Sequence, residues 1–345
     1  SNGAEYAIYQ LVRDQPEVET VLAPSAGNWV RAVAGAAERF GLKTLAYVPH
    51  NISPAKEQPL QVLGATVCKS YATDMGEEKP FDNVEEAAQI GLREAEASNG
   101  RIAYLHPFND LNGIAGQSMV GMRIVEGLKA VLAADRNAAA MDTNIHVQIG
   151  GGSLIAGIAF WVHRAIAAGD LPANTHVIGV RPELIRGELN PLFDGVRVKE
   201  QGSYANAYIQ DPTYVKEVVT IDELHAGKAA HRLAMALGGK RIEPAGLVGA
   251  AAFEQYAVNK SSPTRYVHIA SGKNVTEETY KYLTEATKRN QAQLLGTTLR
   301  VIREESNPSF KKTNFCPKLT FNDRHLGPWS GPTAHWRDPG LSTQH

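Results

Sequence analysis

Only two cysteines, Cys68 and Cys316, occur in 345 residues. They can form neither a disulfide framework nor a Cys-x-x-Cys pair able to hold zinc, and two reduced thiols fit a cytoplasmic protein. No run reaches the ~20 consecutive apolar residues of a membrane helix. The start, Ser1-Asn2-Gly3-Ala4, lacks the charged and apolar regions of a secretory signal and an initiator Met, so the expectation is a cytoplasmic location and a gene product longer than this chain. Net charge is −1 with 21% charged residues, which leaves no basic stripe for nucleic acid and no charged face for a membrane surface. What the chain does have is 43% hydrophobic residues, ample for a large core in one large or two medium domains.

Taken in order, the chain alternates strand and helix. Residues 3–13 carry a broad apolar face at helical spacing. A strand at 19–23, a helix at 29–40 closed by Gly41, and a strand at 43–48 follow. The unit repeats with a helix at 55–63, a strand at 65–68, a helix at 84–97 and a strand at 102–105, with a charged loop at 73–82. The run 106–116 reads as loop, 117–132 as helix, 145–149 as strand and 158–166 as an apolar helix. Strands at 175–180, 218–221 and 265–270 follow, with an irregular stretch at 185–217 between the first two. Asp222 reads as a helix cap, and 276–295 as the last helix. Strand–helix alternation predicts an α/β fold with parallel sheets flanked by helices. The tail, 301–345, has no period and reads as an extended arm.

Three polar or glycine-rich turns stand at predicted strand ends, where open parallel sheets bind ligands. Gly150-Gly151-Gly152-Ser153-Leu154 lies between a strand and a helix start. Glycines let the backbone approach an anion, and the first free N–H groups of the helix point at it. By itself the run is equally a tight turn. Ser25-Ala26-Gly27-Asn28 offers N–H groups suited to a carboxylate, and Ser271 puts a hydroxyl where a heterocycle nitrogen could meet it. A ligand with a phosphate and a ring, meeting a substrate with a carboxylate, uses all three; pyridoxal phosphate with an amino acid is such a pair.

The motifs SAGN at 25–28, HPFND at 106–110, IAGQ at 114–117, GGGSLIAG at 150–157, VIGVRPE at 177–183, DGVRV at 194–198, EPAG at 243–246 and SGKN at 271–274 occur in that order. In wording and order they resemble the fold-type II pyridoxal-phosphate enzymes (the tryptophan synthase β superfamily), closest to the threonine/serine dehydratase branch. The likeness covers about residues 1–300. It implies two open, mainly parallel twisted sheets: a small domain at 1–108 with the carboxylate loop and a large cofactor domain at 109–300. It also implies roles. Gly150, Gly151, Gly152, Ser153 and Leu154 hold the phosphate; Asn28 meets the phenolic oxygen; Ser271 faces the pyridine nitrogen; Gly195 and Glu243 line the pocket. Ser25, Ala26, Gly27 and Asn28 take the substrate carboxylate. The implied reaction is β-elimination from a small amino acid such as L-threonine or L-serine, to a keto acid and ammonia. β-Replacement, a threonine synthase-like reaction or racemisation uses the same first steps. The implied partners are a small amino-acid substrate and a second copy in a homodimer or larger homo-oligomer.

The resemblance also marks departures. The family's Schiff-base lysine falls immediately before Ser1, with Asn2 in the place of an arginine, and no lysine within 1–345 replaces it. Three explanations stand: a longer product cleaved or split there, leaving a separate N-terminal fragment; a lysine–cofactor adduct left out of the written sequence; or a non-catalytic relative. Trp29 replaces a common His and reads as a residue packed under its loop. Arg181, Ile185 and Gly187 replace the acidic cation ligands of some relatives, so no metal is expected. His106 reads as a loop former, Asn109 and Asp110 as turn formers, and Glu183 as a solvated charge. His325, His335 and His345 lack metal-ligand spacing.

Overall fold

Hydrophobic strands that are buried on both faces need helices above and below, and the chain supplies them twice. The computed structural model describes residues 2–135, 137–257, 263–272 and 275–288. Lys273, Asn274, the end of the last predicted helix and the whole 301–345 tail lie outside the described residues.

The first sheet runs β3-β2-β1-β6, built from β1 (Thr20–Pro24), β2 (Lys43–Tyr47), β3 (Thr66–Cys68) and β6 (Ile102–Tyr104). All its pairings are parallel, with Leu22 opposite Leu45 on one side and Tyr104 on the other. Helices α1 (Asn2–Asp14) and α2 (Asn28–Arg39) bury Ala4, Ile8, Val30, Val33 and Ala37 against one face. On the other face, α4 (Val84–Ala97) joins a cluster of Leu22, Tyr47, Phe81 and Ala87. Asn83 caps α4 by accepting from the Glu86 N–H. Helix α3 (Pro54–Val62) precedes β3.

The second sheet runs β10-β7-β8-β9, again all parallel, from β7 (Asp142–Gln148), β8 (Thr175–Pro182), β9 (Glu217–Ile221) and β10 (Thr264–His268). Ile145, Val147 and Ile149 meet α5 (Leu111–Ala134) and α6 (Ser153–Ala167) through Ile124, Leu128, Ile155 and Ile158. The opposite face packs on α8 (Glu223–Ala236) and α9 (Pro244–Tyr256), with Val180, Ile221, Leu247 and Val248 between them. Asp222 caps α8 through the His225 N–H, as read from the sequence. The described part of α10 is Glu277–Lys288.

Three segments differ from the sequence reading. The charged loop at 73–82 belongs to an antiparallel hairpin, β4 (Ser70–Ala72) with β5 (Glu78–Pro80), too short to show a period. The run 106–116 is loop only to Asp110. Its last six residues open α5, because Asp110 caps the helix through the Gly113 N–H. Gly113 and Gly116, which read as loop residues, are contact points. A Cβ at 116 would lie 2.4 Å from Asn2 O and one at Gly121 2.8 Å from Ile158 Cα, so α5 packs tightly on α1 at one point and on α6 at another. The stretch 185–217 contains a 3-10 segment at Pro191–Val196 and helix α7 (Ser203–Gln210).

Candidate active site

The glycine turn follows β7 and opens α6. Gly152, the N-cap residue of α6, sits at φ +95, a conformation glycine adopts without strain, and no side chain caps this helix end. The first N–H groups of α6 therefore face outward with the positive end of the helix dipole. Two neighbours wall the turn. The Phe108 ring packs on Gly151, where a Cβ would lie 2.0 Å from its Cγ. Helix α7 closes the other side: the Gly202 N–H donates to Gly151 O at 3.0 Å, and a Cβ at 152 would meet Ala205 Cβ at 2.7 Å. The segment that read as irregular thus shapes the turn.

The 106–110 loop is braced from within. His106 Nδ1 accepts from the N–H groups of Phe108 and Asn109, at 3.2 and 2.9 Å, and burial holds its pKa below the usual histidine value. A ring that accepts at Nδ1 is neutral there, which is a loop-holding role. Asn109 Oδ1 in turn accepts from Ser203 Oγ and the Tyr204 N–H at the start of α7. Burial also raises the Asp110 pKa, against the pull of the Gly113 and Asn112 N–H groups.

The second turn follows β1. Ser25 Oγ accepts from the Gly27 N–H at 3.2 Å, and α2 starts at Asn28 with no side-chain cap. Trp29 packs beneath the turn, donating to Leu105 O at 3.3 Å, with its ring edge against Gly113. The third turn follows β10. Ser271 Oγ accepts from Gln148 Nε2 at 3.1 Å, and Glu243 N donates to Gly272 O at 3.2 Å.

A side-chain bond links the first of these turns to the second sheet. Asn28 Nδ2 donates to Glu243 Oε1 at 2.9 Å, across 215 residues. A Cβ at Gly195 would lie 3.6 Å from the same Glu243 oxygen. The structure therefore brings Ser25–Asn28, Gly195, Glu243 and Ser271 together through these contacts, with Gly150 beside Gly195, where a Cβ would lie 3.5 Å from Gly195 O. Arg181, at the end of β8, bonds Gln201 at 2.9 Å, and burial lowers its pKa; Glu183 is exposed, as expected of a solvated charge. Among the described residues, no group of three or more His, Cys, Asp or Glu is arranged to hold a metal, and no helix is long and apolar enough to cross a membrane. Sequence reasoning passed over Gln148, whose signal was the alternation Asn144, His146, Gln148 along an otherwise apolar strand.

Residues 1–272 match the family model described as "Pyridoxal-phosphate dependent enzyme". The chain is 29% identical over 335 residues to the biosynthetic, chloroplastic threonine dehydratase of Arabidopsis thaliana, covering 91% of this chain and 50% of that protein. It is 31% identical over 248 residues to the L-threonine ammonia-lyase of Thermotoga maritima, covering 67% and 53%. The chain thus spans about half the length of these curated relatives. The solved structure of the processed form of threonine deaminase isoform 2 from Solanum lycopersicum superposes with a TM-score of 0.68 at 24% identity, over 84% of this chain and 74% of that one.

Proposed function

The chain belongs to the family of pyridoxal-phosphate dependent enzymes, with pyridoxal phosphate as cofactor, and from that premise we propose that it forms the cofactor and substrate loops of a lyase. Its reaction is β-elimination from a small hydroxy-amino acid, L-threonine or L-serine. The observation that supports this reading is the Asn28–Glu243 bond, which holds the Ser25–Asn28 turn of the first sheet to Glu243, itself bonded to the turn after Ser271 in the second. The names of the relatives, a threonine dehydratase and an L-threonine ammonia-lyase, support elimination over the other reactions of the scaffold.

The residues fit the group. An uncapped helix start behind a glycine turn suits a phosphate, and a neutral hydroxyl at Ser271 suits a ring nitrogen. In this reading the N–H groups of Gly150, Gly151, Gly152, Ser153 and Leu154 hold the phosphate, and residues 109–300 carry the cofactor. Pyridoxal phosphate, when bound, supplies the electron sink for breaking a bond at the amino acid's α-carbon. The protein's part is binding and orientation. The uncapped start of α2, with Ala26 and Gly27, meets the substrate carboxylate. The Ser25 hydroxyl, already accepting from Gly27 N–H, keeps its own proton for that carboxylate. Asn28, held by Glu243, fixes the cofactor's phenolic edge, and Gly195 leaves room against Glu243. The base for the α-proton is the Schiff-base lysine that the family resemblance implies, a role no residue of 1–345 fills. Two copies of the chain in a homodimer complete the proposal.

The test is keto-acid formation from L-threonine and L-serine, with residues 1–345 alone and with a lysine added ahead of Ser1. The expected result is a visible cofactor absorbance in both and keto acid in the lysine-bearing form. No absorbance and no keto acid in either overturns the reading.

A further inference from the structure

On the face of the second sheet that packs against α9, strand β7 presents Asn144, His146 and Gln148, all under 10% exposed. Gln148 is the last of them and stands beneath the Ser271 turn. Its Nε2 donates twice, to Ile269 O at 3.2 Å and to Ser271 Oγ at 3.1 Å. Its Oε1 is buried with no hydrogen-bond partner among the described residues. That unpaired oxygen is destabilising, and an apolar residue such as its neighbours Val147 and Ile149 would avoid it.

The carbonyl of Ile269 can only accept, so the amide nitrogen must face it; the flipped amide would set two acceptors together. With the nitrogen so placed, Ser271 Oγ can only accept from Gln148. Its own proton is then turned to another partner. Ser271 itself is exposed.

We propose that Gln148 is a positioning residue that holds the Ser271 hydroxyl as a donor toward an unprotonated aromatic ring nitrogen. This rests on the reading that Ser271 faces the cofactor's pyridine ring. Through Ser271, Gln148 then selects the ring's protonation state: a hydroxyl that must donate favours the nitrogen that carries a lone pair.

Two measurements on the full chain test it. The first needs no cofactor. Gln148→Met keeps roughly the same volume and removes both donor bonds, and hydrogen exchange at 269–272 is expected to rise at least about fivefold, the factor of each ordinary hydrogen bond lost. Unchanged exchange there overturns the positioning role. The second uses pyridoxal 5′-phosphate labelled with ¹⁵N in the ring. The wild-type complex is expected to show an unprotonated ring nitrogen. Gln148→Glu, which gives Ser271 an acceptor to donate to, is expected to move the resonance to the protonated range. A protonated nitrogen in the wild type, or the same shift in Gln148→Glu, overturns the proposal. A wild-type chain that takes up no labelled cofactor refutes the functional reading and the ligand half of this one, while the exchange result still decides whether Gln148 holds the turn.

Discussion

Gly246→Ala asks how tightly the Ser271 turn is bound to the protein behind it. Gly246 lies in the first turn of α9, where a Cβ would sit 1.7 Å from Ser271 O and 2.9 Å from Ile242 Cγ2. A carbon normally approaches a carbonyl oxygen to about 3.3 Å, so the Ser271 carbonyl must retreat by about 1.5 Å. Overpacking of this kind costs about 1–3 kcal/mol. The adjoining Glu243 N to Gly272 O bond, worth about 1 kcal/mol, is strained with it. The greater helix preference of Ala returns about 1 kcal/mol, which leaves a net loss of about 1–3 kcal/mol. The assay is the urea midpoint at unchanged slope, run beside pyridoxal phosphate affinity, which is expected to fall because Ser271 moves. Gly35→Ala is the control. That glycine is in the interior of α2 with Leu63 Cδ2 at 3.8 Å as its nearest contact, so Ala there is expected to stabilise by about 0.5–1 kcal/mol. Equal stability of Gly246→Ala and wild type, or the same sign for both variants, refutes the reasoning.

Two further outcomes concern the second sheet. Arg232 on α8 holds Glu254 on α9 through two bonds, at 2.6 and 3.1 Å, and Glu254 is 4% exposed. Arg232→Ala is expected to cost about 3–5 kcal/mol in urea unfolding, since it takes the arginine away from a buried carboxylate. His268 lies against Phe253 and opposite His146, and burial pushes its pKa from 6.5 down to about 3. Above pH 6.5 it is neutral folded and unfolded, so its contribution is fully present. As pH falls from 6.5 toward 3 the unfolded chain takes up a proton that the native state refuses, and stability drops by up to about 1.4 kcal/mol per pH unit. His268→Phe is expected to flatten that acid limb; an unchanged slope counts against it.

The parts of this fold that were legible in the sequence were those with a local cause. Asp222 caps α8 because its side chain reaches the His225 N–H three residues on, and that spacing is written in the chain. The strands at 19–23, 43–48 and 175–180 announced themselves as short apolar runs. Helix α5 began six residues earlier than its apolar period because Gly113 and Gly116 look like loop residues until α1 is seen against them. Helix α7 carries Ala205 and Ile209 on its buried side and only eight residues, too few for a period to stand out. The candidate site divides in the same way. The turns at 25–28, 150–154 and 271 carry their own signature, but the contact of Asn28 with Glu243 joins residues 215 apart and has no local trace. Phe108 and Ala205 act through packing, and their neighbours along the chain give no hint of it; Gln148 shows in the chain only as the last of the alternating polar residues Asn144, His146 and Gln148, which does not reveal its bond to Ser271.

The Asn28–Glu243 and Lys56–Asp194 bonds both link the structure around Ser25–Asn28 and α3 to the structure around Glu243 and Asp194, and they differ in kind. Lys56 Nζ meets Asp194 Oδ2 at 2.6 Å, but the two side chains are 44% and 61% exposed. Such pairs contribute about 0–1 kcal/mol and are screened by salt. The Asn28–Glu243 bond, at 2.9 Å, involves a glutamate only 9% exposed, in which salt has little part. Behind the packing of α1 on α5, the bond that ties the Ser25–Asn28 turn to the second sheet is therefore Asn28–Glu243, with Lys56–Asp194 a minor addition at low salt. Lys56→Met is expected to weaken pyridoxal phosphate binding by less than about fivefold, an effect that fades between about 0.1 and 1 M salt. Asn28→Ala is expected to weaken it by about tenfold at both salt concentrations, the factor of a lost hydrogen bond to a charged, buried acceptor, although Asn28 itself is exposed. Titration of the cofactor's fluorescence decides between them. A larger loss in Lys56→Met, or an Asn28→Ala defect that salt abolishes, would mean that surface charge and not the Asn28 amide brings the two turns together.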